Sequence, residues 1–398
     1  MRTMNTLLLL AFPLGALAAD GTQAARNGDL VSARAVAVAA PATAIERKPV
    51  SFSWALDPSA ELSAATPFLA ESREYWTQVD AAELARGFEL DASAAGPVIR
   101  ISPIAGAAAV SSDSLAVIRD GRALANAKSF AHAASAEQLQ RVGMDLSNGS
   151  AVVQLEPALG KGRFTLRMAD ARGRYLVHVF EPESAFVLQA QASQASLLAG
   201  GEVQVTARLG RNGGSLVASD MGGLLVSPSG KSYDLKFAAG SNGAHQALAR
   251  VPGDAASEPG LWEVQVFAGA VSDGSRIQRD ARTAISVAQP TARLAGNYRF
   301  DASRLAFTAP VQVGSPGRYE LRATLFATGA DGIARPVSEA HSAAWFEKGT
   351  SALSLGFERA NLPTGYGAPY EVRYLELKDQ SRMGQLETRA LALRSGAR

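Results

Sequence analysis

The sequence predicts an all-β chain of three tandem β-sandwich domains, the second and third immunoglobulin-like, the first larger and carrying short helices. Two observations predict it. Four times a glycine, one further residue and an aromatic open an alternating run: GRFTLRM from Gly162, GRYLVHV from Gly173, GLWEVQV from Gly260 and GRYELRATL from Gly317. Phe164, Tyr175, Trp262 and Tyr319 each head apolar residues at a period of two, which puts them on one face of a half-buried strand. The second observation is punctuation: Asp-Gly, Pro-Ser-Gly and proline steps separate these runs, and they are the turn chemistry of antiparallel sheets.

At 398 residues the chain exceeds one hydrophobic core and suits several domains. A composition of 47% hydrophobic and 19% charged residues is that of a folded protein rather than a disordered one. The net charge is +2 and no basic stripe interrupts it, which argues against a nucleic-acid partner. Cysteine is absent. That excludes disulfides, thiolate chemistry and a cysteine-linked lipid anchor, so the domains must rest on their cores alone.

Taken in order, Arg2, the apolar run Leu7 to Leu17 and the small-residue site Ala16-Leu17-Ala18 read as a cleavable signal peptide over residues 1–18. A periplasmic or secreted protein is expected. No later apolar stretch is long enough to span a bilayer, so no membrane insertion of the mature chain is expected. Residues 19–47 are Ala-rich, lack aromatics and contain Pro41. They are expected to form an extended, mobile leader segment.

The N-terminal β-sandwich-like domain is placed at residues 48–184. Its strands are VSFSWAL from Val50, PVIRISPI from Pro97, LAVIRDGRAL from Leu115, AVVQLEP from Ala151 and the first two glycine-aromatic strands. Ser135 and Gln138 form a capping-box pattern ahead of a short helix, with Gly143 as its stop. A second helical turn is expected over Ala81 to Arg86, stopped by Gly87. An immunoglobulin-like domain is placed at 185–289, with EVQVTARL from Glu202, a hairpin through Pro228-Ser229-Gly230, GLWEVQVFA, and a strand around Thr283 to Val287. About seven short strands in about a hundred residues match that architecture. The C-terminal immunoglobulin-like β-sandwich domain, residues 290–398, repeats the recipe with RLAFTAPVQV, GRYELRATLFA, the Asp331-Gly332 turn, AAWFE, ALSLGFE and PYEVRYLEL. Each of the last two segments is expected to close its own sheets.

The segments GLWEVQVFAGAVSDGSRIQRDARTAI, PTARL from Pro290 and LPTGYGAPYEVRYLELKDQSRMG from Leu362 resemble domain of unknown function family 4785. These are exported bacterial three-domain proteins with an N-terminal domain followed by two immunoglobulin-like domains. The resemblance covers essentially the whole mature chain. It implies the fold, and it brings no catalytic, cofactor-binding or metal-binding residue.

The residues themselves assign none either. A serine hydrolase needs its nucleophile on a sharp strand-to-helix elbow. The nearest phrase, Gly314-Ser315-Pro316-Gly317, reads instead as a turn before a strand. His132, His178, His245 and His341 show no zinc-ligand spacing, and His178 reads as a partly exposed strand histidine. Gly230-Lys231-Ser232 lacks the upstream glycine and following helix of a phosphate loop and reads as a hairpin turn. Asp273, Asp301, Asp331 and Asp379 are loop acids that calcium could use, but none lies in a ligand-dense loop. Arg73, Tyr75 and Trp76 pair arginine with aromatics as recognition surfaces do, while the same rings could close a core edge.

The expectation is therefore an exported, non-catalytic multi-domain β-protein, a binding or structural protein of an unknown protein or glycan ligand, with recognition in the N-terminal domain and no cofactor. The alternative is a secreted hydrolase acting on glycan or peptide through a carboxylate site in that domain. The export reading is tested directly: protein recovered from periplasm or medium should begin at Ala19 or Asp20, and retention of Met1 there would overturn it.

Overall fold

Alternation of apolar and polar residues builds three antiparallel β-sandwiches in the computed structural model of the chain, which describes residues 21–39, 45–62, 66–255 and 260–396. The signal-peptide residues 1–18 and Pro41 of the leader lie outside the described residues. Two compact units result, one from Thr66 to Val287 and one from Met1–Ala65 together with Ala288–Arg398.

The first unit holds two sandwiches. In the N-terminal one, a five-stranded sheet orders Glu74–Asp80, Arg174–Phe180, Val98–Pro103, Ala151–Leu155 and Phe130–Ser135. It faces a four-stranded sheet of Phe88–Ala92, Gly162–Met168, Leu115–Arg119 and Arg122–Ala123. Tyr75, Ile99, Val153, Tyr175 and Val177 meet Leu90, Leu115, Phe164 and Leu166 in its core. The expected helices form where their caps place them. Ala81–Arg86 starts on Asp80, which accepts from the Glu83 N–H, and stops at Gly87. Ala136–Gln140 starts on a complete Ser135–Gln138 capping box. A further short helix, Asn126–Ser129, has no side-chain cap and nothing in the sequence announced it.

The middle sandwich packs Ala244–Arg250, Glu202–Arg211 and Phe186–Ala192 against Ser275–Ala288, Trp262–Ser272, Asp220–Val226 and Ser232–Lys236. Trp262 is 3% exposed in its core, and its indole N–H donates to the Ala255 carbonyl at 3.2 Å. The hairpin between Trp262–Ser272 and Ser275–Ala288 turns on Asp273 and Gly274, at φ 52° and 77°. Both central residues left-handed is the two-residue turn that matches strand twist. The sheet does not close on its own segment. Leu69–Ser72, ahead of the N-terminal sandwich in sequence, adds to Phe186–Ala192 as an edge strand.

The second unit holds the third sandwich. Its larger sheet orders Gly21–Thr22, Gly384–Arg394, Gly367–Asp379, Gly317–Thr328, Ala334–Phe346 and Val50–Ala55. Ala306–Val313 and Gly349–Gly356 lead the facing sheet. Tyr319 is fully buried between them, as Phe164, Tyr175 and Trp262 are in theirs. This corrects two expectations. Val50–Ala55, assigned by sequence to the N-terminal domain, hydrogen-bonds to Ala334–Phe346. Its alternation specifies a strand with one apolar face, but alternation carries no information about which sheet it joins.

The leader is corrected as well. Gly21–Thr22 pairs with Gly384–Arg394, and the Leu30 carbonyl accepts from the Thr388 N–H and from Arg389. Val36 passes so close to Gly314 that a Cβ there would lie 2.5 Å from the Val36 carbonyl oxygen. Beside it the Ser315 hydroxyl donates to Val36 O and accepts from Val38 N–H, each at 2.8 Å. The Gly314-Ser315 pair thus serves backbone passage. Arg318, 7% exposed, donates to the Glu46 and Lys48 carbonyls at 2.9 and 2.7 Å.

The segment from Ala288 onward should therefore be incomplete alone. A fragment of residues 288–398 is expected to be less stable by about 3 kcal/mol or more than the same segment carrying residues 21–58, at about 1 kcal/mol per lost hydrogen bond. A peptide of residues 45–58 added in trans should raise its melting temperature. Equal denaturation midpoints with and without these residues would show that the pairing contributes nothing.

Candidate ligand-binding site

The strand Glu74–Asp80 separates the two rings that the sequence set side by side. Tyr75 points into the N-terminal core and is 2% exposed. Burial pushes its hydroxyl pKa up, and the Glu181 carboxylate adds to this. Trp76, one residue on, faces outward and stacks on His178 across the strand pair at 4.8 Å and 13°. Glu74 holds the His178 Nε2 at 2.7 Å. Arg282 of the middle sandwich lies over the indole ring, 4.2 Å from its centroid. Arg73 Nε donates to the Ser184 carbonyl at 3.0 Å.

Beneath this stack lies a buried ion pair. Arg279, in Ser275–Ala288, donates from Nη2 to Glu181 Oε2 at 2.5 Å, with side chains 1% and 0% exposed. Every remaining valence is occupied. Glu181 accepts from the Ser93 N–H and hydroxyl, and Arg279 also donates to Ser184 Oγ and to the Phe186 carbonyl. Burial lowers the Arg279 pKa while Glu181 pulls it back. Asp280 follows on the opposite face of the strand and accepts from the Trp76 N–H at 2.7 Å. Arg279, Asp280 and Ala281 are consecutively buried, a break in period two caused by the N-terminal sandwich covering this end of the sheet.

Asp280 is also one wall of a cleft of about 690 Å³ in the middle sandwich. Strand register builds its floor: Gly222, Phe267 and Asp280 stand abreast, and Asp220, Gly269 and Gln278 form the next rung. Residues abreast on neighbouring strands share a face, so two glycines leave the sheet bare between Phe267, Asp220 and Gln278. A Cβ on Gly222 would meet nothing within 4 Å. Arg276, Met221, Phe237 and His245 also line it. The Nδ1 of His245 is buried without a hydrogen-bond partner. The cleft thus presents acid, guanidinium and amide groups around two bare glycines and the Phe267 ring.

The other residues singled out by sequence take local roles. Gly230-Lys231-Ser232 closes the hairpin between Asp220–Val226 and Ser232–Lys236. Asp273 pairs with Arg211, Asp331 with Arg335, and Asp379 with Arg382 and Thr291. Asp301 accepts from Ser303 and the Arg304 N–H. Among the described residues no group of three His, Asp or Glu side chains could hold a metal ion, and no helix is long and apolar enough to cross a membrane. The four histidines are not brought together: His132 lies in the strand Phe130–Ser135 of the N-terminal sandwich, and His341 is in the third. Sequence reasoning missed Glu181, Arg279 and Asp280, which no local pattern connects. It weighed His245 only for zinc-ligand spacing and passed over Gly222, although the Gly222-Gly223 doublet inside a strand is a recognised sign of a bare surface or close approach.

Two family models match the chain: the domain of unknown function (DUF4785) N-terminal domain over residues 41–181 and the DUF4785 C-terminal domain over residues 291–394. The first span takes in Val50–Ala55 and Leu69–Ser72, whose ladders run to the later sandwiches. A crystal structure of a DUF4785 family protein from Legionella pneumophila is similar over 92% of this chain and 98% of its own, with 20% identity and a TM-score of 0.73. Structures of alpha-2-macroglobulin from Salmonella and from Escherichia coli match with 11% and 12% identity. They cover 83% and 85% of this chain but 21% and 24% of their own, and their TM-scores of 0.24 and 0.22 support no argument. No curated protein matches the chain.

Asp280 makes the junction sensitive to pH. Burial raises its pKa to about 6, against the Trp76 hydrogen bond and the charge of Arg282. A raised carboxyl favours the fold fully below its unfolded pKa, and that contribution is lost as pH rises through about 6. The loss by about pH 8 amounts to about 2–3 kcal/mol. Asp280→Asn keeps an acceptor for the Trp76 N–H without the charge. In urea unfolding, the variant should match the unsubstituted protein near about pH 4 and exceed it increasingly toward about pH 8. A constant difference across that range would refute the assignment.

Proposed function

The chain belongs to the DUF4785 family, and from that premise and the cleft we propose that it is an exported, non-catalytic binding protein that takes a protein segment or glycan between Gly222, Phe267 and Asp280. The observation that carries this reading is the bare glycine floor. Sites for small ligands are typically preformed concavities of about 300–1,000 Å³, with a few polar groups over an apolar lining. This cleft has that size, and its lining is more polar than such sites usually are. The walls stand on paired strands, so little conformational freedom has to be lost on binding. The export pattern of Arg2 to Ala18 supports a periplasmic or extracellular place for that ligand.

The hydrolase reading is less well supported. One acid of the N-terminal sandwich, Glu181, is fully buried, ion-paired with Arg279 and hydrogen-bonded by Ser93, so it does not face a substrate. On this reading recognition lies in the middle sandwich, where the sequence suggested the N-terminal domain. The cleft lies in the middle sandwich, and the N-terminal one contributes the Trp76 contact that holds Asp280.

Gly222→Trp tests the reading because the added ring enters open space at a residue whose φ is not in the left-handed region. The melting temperature should stay within a few degrees. A peptide or oligosaccharide selected from arrays by the full chain should bind at least about tenfold more weakly to the variant, about 1.4 kcal/mol. Unchanged affinity would place recognition elsewhere.

A further inference from the structure

A second surface, on the third sandwich, carries chemistry of its own. The edge strand Val50–Ala55 presents Phe52 and Trp54 on one face, 49% and 41% exposed. Their ring centroids are 5.8 Å apart and their planes within 19°. The rings rest on His341, which stands opposite Phe52 in the ladder. It stacks on Phe52 at 5.2 Å and 8° and on Trp54 at 5.1 Å and 27°. His341 is itself clamped, with Nδ1 2.7 Å from Glu320 and Nε2 3.1 Å from Glu339.

The carboxylates behind the rings all have partners. Arg322 reaches Glu339 at 3.2 Å and Glu376 at 3.9 Å, and Lys378 reaches Glu376 at 2.8 Å. Burial works against ionisation of Glu320, but hydrogen bonds from His341 and Gln380 outweigh it and hold its carboxyl below the ordinary range. The face therefore offers donors and acceptors in both senses, with three carboxylates set against two cations and the His341 imidazole. Exposed edge strands are normally protected by lysine, proline or a cover; this one displays two large rings.

We propose that Phe52, Trp54 and His341 form a platform for a neutral polysaccharide. A pyranose ring has a C–H face that packs on an aromatic ring and a rim of hydroxyls that need both donors and acceptors. Near-parallel open rings beside a field of ion-paired, hydrogen-bonding side chains with no surplus cation supply both. An anionic glycan or lipid headgroup calls for surplus cation, and a cationic ligand would have to displace Arg322 or Lys378. An apolar peptide would find charged side chains one strand beyond the rings.

The full chain would be run in native gels containing dextran, hydroxyethyl cellulose, galactomannan or laminarin. Retardation by at least one of these is expected, and it should persist in about 0.5 M NaCl, where exposed charge interactions are screened. Phe52→Ser/Trp54→Ser should weaken it at least about tenfold, while Trp54→Tyr, which keeps a ring, should retain it. If the double variant melts early, Phe52→Ser alone decides by the same reading. Gly222→Trp should leave this binding unchanged, so failure here and failure of the cleft are distinguishable. No retardation by any of the four, or retardation unaffected by the serine variants, would overturn the proposal. So would binding confined to dextran sulfate or to phosphatidylglycerol vesicles.

Discussion

The Arg279–Glu181 pair is the interaction on which the unit from Thr66 to Val287 depends. Two charges withdrawn from water carry a desolvation cost of several kcal/mol each, which only close geometry and complete hydrogen bonding offset. Both conditions hold, since Ser93, Ser184 and the Phe186 carbonyl occupy what the ion pair leaves free. A pair of this kind is poor evidence for net stability and better evidence for a single arrangement. Any other seating of the two sandwiches would strand a buried charge, at about 3–5 kcal/mol. Asp280, Trp76 and Arg282 inherit their positions from it, and so does the wall of the cleft.

A second constraint is the management of edges without disulfides. The middle and third sandwiches are each completed by a strand from upstream, Leu69–Ser72 and Val50–Ala55. The chain thus visits the third sandwich, then the middle one, then builds the N-terminal one, and returns in reverse order. Such long-range pairing costs loop entropy that grows only slowly with length. It covers sheet edges and uses the leader residues as structure. Cores led by Trp262 and Tyr319, and not covalent bonds, hold the result.

Two outward faces share a local recipe. His178 stacks on Trp76 and bonds to Glu74; His341 stacks on Phe52 and Trp54 and bonds to Glu320 and Glu339. A strand histidine with a cross-strand aromatic and an acid within reach forms this cluster through register alone. What differs is coverage. Arg282 lies over Trp76, whereas Phe52 and Trp54 remain open, so one cluster serves a joint and the other a surface.

The sequence by itself determined what is local. Period two assigned the buried faces headed by Phe164, Tyr175, Trp262 and Tyr319, the Ser135–Gln138 cap started its helix, and Asp273-Gly274 made its hairpin. Each depends on residues within a few positions of one another, where sterics and hydrogen bonding leave few alternatives. Tertiary structure decided which sheet Val50–Ala55 joined, that the leader packs along the third sandwich, and that Arg279 meets Glu181 across 98 positions. It also decided that Gly222 and Gly269 fall side by side to open a cleft. Alternation specifies a face but not a partner. Partner choice rests on register, shape and charge balance between segments far apart in the chain, and those exist only once the sheets have assembled.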